Sequence, residues 1–127
     1  MPRTTADLTE DELAFLAERH LGSLTTLRGD GTPHVVAIAF TYVDGVVTMI
    51  TSDRTQKVVN VEERRRAVVS QVDGRRWLSL EGDAVVVRHP EAVAEGVRRF
   101  EQRYRPVREN PSRVVIRVEV DRVLGGG

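Results

Sequence analysis

The chain opens with apolar positions at helical spacing and then changes to β-branched runs cut by Gly- and Asp-rich turns. In LTEDELAFLAERHL, Thr9 with Glu12 three residues on forms a capping box, and Leu8 and Leu13 are placed for a hydrophobic staple. Leu13, Phe15, Leu16 and Leu21 give this first helix one apolar face. GSLTTLR, PHVVAIAFTYV and VVTMITS are separated by GDG at 29–31 and DG at 44–45, which predicts a three-stranded antiparallel meander over residues 22–52. A short helix follows at 55–63. AVVSQV and RWLSLEGDAVVVR then flank a second DG at 73–74 as another hairpin. PEAVAEGVRRFEQRYR starts with proline in the first helical turn and repeats Val93, Val97, Phe100 and Tyr104 at helical spacing. RVVIRVEVDRVL reads as a long closing strand, with GGG as a frayed end.

Six strands with short flanking helices predict a mainly β, α+β domain: a six-stranded antiparallel split β-barrel, since closure removes exposed sheet edges. The second and fifth strands carry apolar residues on both faces. A chain this short does not cover both, so one outer face is expected to bury against a second copy in a homodimer. Residues 1–127 form one domain, with 1–7 and 125–127 expected to be flexible.

Composition narrows the chemistry. Nineteen basic residues balance nineteen acidic ones, which argues against a nucleic-acid partner. With no cysteine there is no thiolate chemistry, and His20, His34 and His89 have no metal-ligand spacing, so no metal site is expected. No apolar run approaches a membrane span and the Thr-rich, acidic start does not read as a signal peptide, so a cytoplasmic location is expected.

Lys57 is the sole lysine; the other eighteen basic residues are arginine. It lies beside Arg54 at a predicted helix start with Thr55 as N-cap, where cations face the positive end of the helix dipole. An anion held by free backbone N–H groups, the Thr55 hydroxyl and the two cations would account for them, with Ser52 and Gln56 as neutral donors and phosphate as the obvious candidate. The plainer reading is that Asp53 neutralises Arg54 and Lys57 is solvated. No dinucleotide or P-loop glycine pattern is present.

SQVDGRRWLSLEG, residues 70–82, holds the only tryptophan, with Ser79 and Glu81 on the same strand face. Trp77 is either core or one wall of a flat ligand site. The arginine runs at 64–66, 75–76 and 98–99 are solvated faces or receivers of ligand carboxylates. His34 is a proton donor if its ring faces a cleft, and otherwise a strand residue without a role. No catalytic residue can be assigned.

In this order LTTLR, PHVVAIAFTY, TQKVVN, SQVDGRRWLSLEG, QRYR and NPSRVVIRVEV–RVLG resemble the split β-barrel flavin and deazaflavin enzymes related to pyridoxamine 5′-phosphate oxidase. The branch most similar is the actinobacterial one that uses the deazaflavin coenzyme F420, and within it the biliverdin reductases. The resemblance implies a cofactor phosphate on Thr55, Gln56 and Lys57. It implies a ring against Val36, Ala37 and Ile38, with Ile50 and Thr51 contributing, and a partner subunit supplying Trp77 to Ser79. Substrate contacts would fall to His34, Arg75 and Arg76. The chain lacks the C-terminal basic–aromatic segment of the vitamin B6 oxidases.

The expected function is therefore F420-dependent hydride transfer to a flat conjugated substrate such as biliverdin, where orienting two planar systems supplies most of the acceleration. The alternatives are an FMN-dependent oxidase or reductase, and a non-catalytic flavin- or tetrapyrrole-binding protein.

Overall fold

The computed structural model describes residues 2–126. A 3-10 turn at Thr5–Asp7 leads into helix α1 (Glu10–Ala17), and strands β1 (Gly22–Leu27), β2 (Pro33–Ile38), β3 (Thr41–Val43) and β4 (Val46–Ser52) follow. Helix α2 (Gln56–Arg64), strands β5 (Arg66–Asp73) and β6 (Arg76–Val87), helix α3 (Pro90–Arg103) and strand β7 (Arg113–Gly126) complete the chain. The predicted capping box closes α1: Thr9 Oγ accepts the Glu12 N–H and Glu12 returns a carboxylate to the Thr9 N–H. The apolar face of α1 is narrower than its spacing predicts. Phe15 and Leu16 are buried, whereas Leu13 and Leu21 are exposed.

The strands form one antiparallel sheet in the order β2-β1-β5-β6-β7-β4-β3. Seven strands replace the six expected, and the predicted meander over 22–52 is corrected. PHVVAIAFTYV breaks at Ala39 and Phe40, so β2 pairs with β1 while β3 and β4 go to the opposite end of the sheet, beside β7. The break is held by a distant helix end. Tyr104 Oη accepts the Phe40 N–H and donates to the His20 carbonyl, and the Arg103 guanidinium meets the Phe40 carbonyl. Side chains thus satisfy the backbone groups that leave the ladder, and the Phe40 ring is buried.

Both ends of the sheet contribute to one core. Ile38 from β2 and Val47 and Met49 from β4 join Leu24, Val69, Leu78, Leu80, Ile116 and Val118 in a single cluster. The sheet therefore curls into a barrel whose seam lies between β2 and the β3–β4 hairpin. Val58 and Val61 of α2 close one end of this core, and Phe15 and Leu16 of α1 close the other. The β6–β7 ladder bulges at Glu81/Gly82, where a Cβ on Gly82 would lie 1.8 Å from the Glu119 carbonyl oxygen. Gly125 and Gly126, expected to fray, continue β7 opposite Leu78 and Trp77, and Arg3 bridges Val123. Met1 and Gly127, also within the segments expected to be flexible, lie outside the described residues. No helix is long and apolar enough to cross a membrane.

Candidate functional site

Helix α2 starts where β4 runs out at the seam. Thr55 sits at its N-cap in extended conformation, but its hydroxyl donates to the Ser52 carbonyl (3.1 Å) and makes no cap bond. The N–H groups of Gln56, Lys57 and Val58 therefore meet no acceptor among the described residues. The Lys57 side chain in this turn is partly buried, and burial holds its pKa below the ordinary lysine value. No carboxylate among the described residues pairs with it: Asp53 is taken by Arg88 (2.9 Å), which also bonds Glu62 (3.0 Å). Arg54 is exposed, with its backbone in the left-handed region (φ 63°) and its N–H on Asp53 Oδ1. Asp53 still feels the charge of Arg54, but its side-chain hydrogen bonds go to Arg88 and to the Arg54 N–H. This turn is positive and rich in donors, a composition that suits a phosphate.

The first turn is tied to the barrel from within. Gln56 Nε2 donates to Asn60 Oδ1 (2.7 Å), and Asn60 Nδ2 donates to Thr26 Oγ1 (3.0 Å). Asn60 and Thr26 are both 1% exposed. Cross-strand from Thr26 stands His34, whose Nδ1 is buried without a hydrogen-bond partner, alone in this among the described residues. Val36 and Ile38 continue the His34 face of β2 toward the core, while Ala37 points to the outer face with Val35. Thr51 shares the inward face of β4 with Met49, and Ile50 packs beneath Gly96 of α3, where its Cγ2 would lie 3.0 Å from an added Cβ.

The structure thus gathers His34, Thr51, Thr55, Gln56 and Lys57 at one end of the barrel. It leaves Trp77 and Ser79 elsewhere. Arg88, which grips the start of α2 through Asp53, follows the far end of β6, and Trp77 stands at the near end. The strand between spans about 35 Å at roughly 3.3 Å per residue. Trp77 is not core: it is 38% exposed, packs its indole on Gly126, and borders a cleft of about 230 Å³ with Asp11, Glu12, Phe15 and Arg76. Ser79 bonds Ser70 across the β5–β6 pair (3.1 Å) on the same outer face.

The arginine pairs separate in their commitments. Arg76 grips Glu18 with both terminal nitrogens (2.8 and 2.9 Å), bonds Asp73 (2.6 Å) and lies over the Phe15 ring. Glu18 is held far below the usual carboxylate range, at about 2, by Arg76 first and His20 second. Glu18, His20 and Asp73 place their ligand atoms within 4.8 Å of one another, a grouping the sequence spacing did not suggest, but Arg76 occupies both carboxylates. Arg75 is exposed and engages no carboxylate among the described residues. In the 64–66 run, Arg64 bonds the Gly29 carbonyl, Arg65 caps α2 and Arg66 spans Asp83 and Asp121. Sequence reasoning missed Asn60 and Thr26. No local signal marked Asn60, which stands two residues from Val58 and one from Val61 and so does not share their helical stripe.

Known proteins share this architecture and much of the sequence. The chain is 53% identical over 127 residues to an F420H2-dependent biliverdin reductase of Mycobacterium tuberculosis (strain CDC 1551 / Oshkosh), covering 98% of this chain and 93% of the relative. Among solved structures, a conserved hypothetical protein of Mycobacterium tuberculosis superposes with a TM-score of 0.80 at 28% identity, over 98% of this chain and 89% of that one. An F420 reductase superposes with a TM-score of 0.74 at 25% identity, over 87% and 94%. The pyridoxamine 5′-phosphate oxidase family model matches residues 8–125, and with that match across nearly its whole length the chain belongs to this family.

Proposed function

We propose that the chain is an F420-dependent biliverdin reductase whose cofactor is anchored at the start of α2 and whose site is completed by a second copy of the chain. The observation that carries the reading is the α2 corner itself: three N–H groups and a partly buried ammonium that meet no partner among the described residues. It lies in a chain 53% identical to an F420H2-dependent biliverdin reductase. The donor set fits the phosphate of a deazaflavin. The N–H groups of Gln56, Lys57 and Val58 and the Lys57 ammonium would hold it, and Thr55 would join by releasing Ser52. A compact ammonium suits a tetrahedral phosphate where a planar guanidinium would need more room.

From that anchor β2 leads away past His34 and the partly exposed Val36, against which a flat ring would lie with Thr51 across the seam, while Ile38 beyond them is already part of the core. The reduced deazaflavin supplies the hydride when bound. The chain's own part is to hold two planar systems face to face and keep water from between them. Trp77 and Ser79, a strand's length from the anchor in their own subunit, would reach the ring from a partner. The outer face they share with Val35, Ala37, Ser70 and Val72 is the surface on which that partner would dock. Of the two adjacent arginines, Arg75 is free to meet a propionate and Arg76 is already committed.

Mixing the protein with reduced F420 and biliverdin tests the activity, and the tetrapyrrole absorbance should shift as F420 is oxidised. Tight binding without turnover would leave a carrier, and submicromolar binding of FMN with none of F420 would make it a flavin enzyme. Lys57→Ala should weaken F420 binding by about 1.5–3 kcal/mol, the scale of a charge-assisted contact. An unchanged dissociation constant would refute the anchor.

A further inference from the structure

A buried amide fixes the helix that carries the anion corner. Asn60 is buried in α2 between Val58 and Val61, which face the core. An amide there is costly unless both of its ends are bonded, and asparagine is a poor residue for a helix interior. An aliphatic side chain would close this end of the barrel without either cost. Both ends of the amide are in fact used, inward to Thr26 Oγ1 on β1 and back along the helix to Gln56 Nε2. Gln56 is the first residue of α2, so the bonds run from a central strand, through the helix interior, to the turn with the free N–H groups. Valine contacts alone tolerate rotation of a short helix about its axis. Two directional bonds do not, because each has a narrow optimum of distance and angle. Cross-strand from Thr26, the His34 ring brings a further polar atom to this end of the barrel, its buried Nδ1 without a hydrogen-bond partner among the described residues.

We infer that Asn60 and Thr26 are positioning residues: they set the rotation of α2 so that its first turn aims at the cofactor's phosphate. The inference rests on the phosphate reading of the corner. Thr26→Val keeps the shape and removes the hydroxyl, and Thr26→Ser restores it. Fluorescence titration should show Thr26→Val binding F420 about ten-fold more weakly, with Thr26→Ser within about three-fold of the parent. The same chromophore without its phosphate-bearing tail should bind all three within about two-fold, a selectivity that a merely structural role would not produce. Gln56→Leu, at an exposed position, should give a smaller loss of the same selective kind should Thr26→Val fail to fold. Equal weakening of both ligands, or none, overturns the positioning role. Lys57→Ala separates the two failures: if it costs F420 affinity while Thr26→Val does not, only the positioning role falls, and if it costs nothing, the phosphate reading falls and takes this inference with it.

Discussion

Lys57 stands out by composition as the only lysine, and by environment as a cation that burial disfavours and that pairs with no carboxylate among the described residues. Its pKa is lower folded than unfolded, so in the alkaline range below about 10.4 the unfolded chain binds more protons. In the absence of an anion, stability therefore rises with pH through that window. A bound phosphate reverses the balance by favouring the charged form, so binding takes up a proton there. F420 affinity should fall as pH climbs through the depressed Lys57 pKa, while Lys57→Arg, charged throughout, should flatten that slope. Isothermal titration at several pH values and in buffers of different ionisation enthalpy measures both quantities, and a parallel slope in the two proteins would acquit Lys57. Glu18 gives a pH slope of the same sign for a different reason, since its neighbours favour its charge. Held at about 2 by Arg76 and His20, it contributes stability that is present above the ordinary carboxylate pKa and lost as pH falls through about 2. Lys57 was visible in the sequence because it is singular. Asn60 was not, since nothing local says which face of a nine-residue helix is buried.

At the scale of elements, the rules that are local succeeded. The capping box of α1, the proline start of α3 and the turns at Asp44–Gly45 and Asp73–Gly74 involve partners within a few residues. The break between β2 and β3 does not. Phe40 leaves the ladder because Arg103 and Tyr104, more than sixty residues on, satisfy its backbone, and Arg103 also bonds Gln71 Oε1 and the Glu18 carbonyl. The bulge at Gly82 is equally non-local. A Cβ there would collide with backbone that has no rotamer to yield, so Gly82→Ala should cost about 2–3 kcal/mol. A thermal melt should show the midpoint falling by roughly 10 °C. A midpoint within about 2 °C of the parent would mean that the β6–β7 ladder can open at the bulge to admit a methyl group.

On the whole-molecule scale, the sheet order brings the start of α2 and the inward face of β2 to one end of the seam and carries Trp77 to the other end of β6. The proposed shared site would then need two copies, and on that reading Val72, 63% exposed on the outer face beside Trp77, is where a charge would be least tolerated. Val72→Arg should shift sedimentation from a dimer toward the 14.2 kDa chain and lower F420 affinity in parallel. A parent protein that sediments as single chains yet binds F420 tightly would end the two-copy reading. The sequence by itself determined the helices, most strands, the turn chemistry and the placing of the sole lysine at a helix start, because each depends on spacing, capping and residue type over short stretches. Only the tertiary structure decided which strands are neighbours, that Arg76 is spent on Glu18 and Asp73 while Arg75 is free, and that Asn60 ties the anchor helix to Thr26. Those are pairings between residues tens of positions apart, which come into contact only once the sheet has curled around one core.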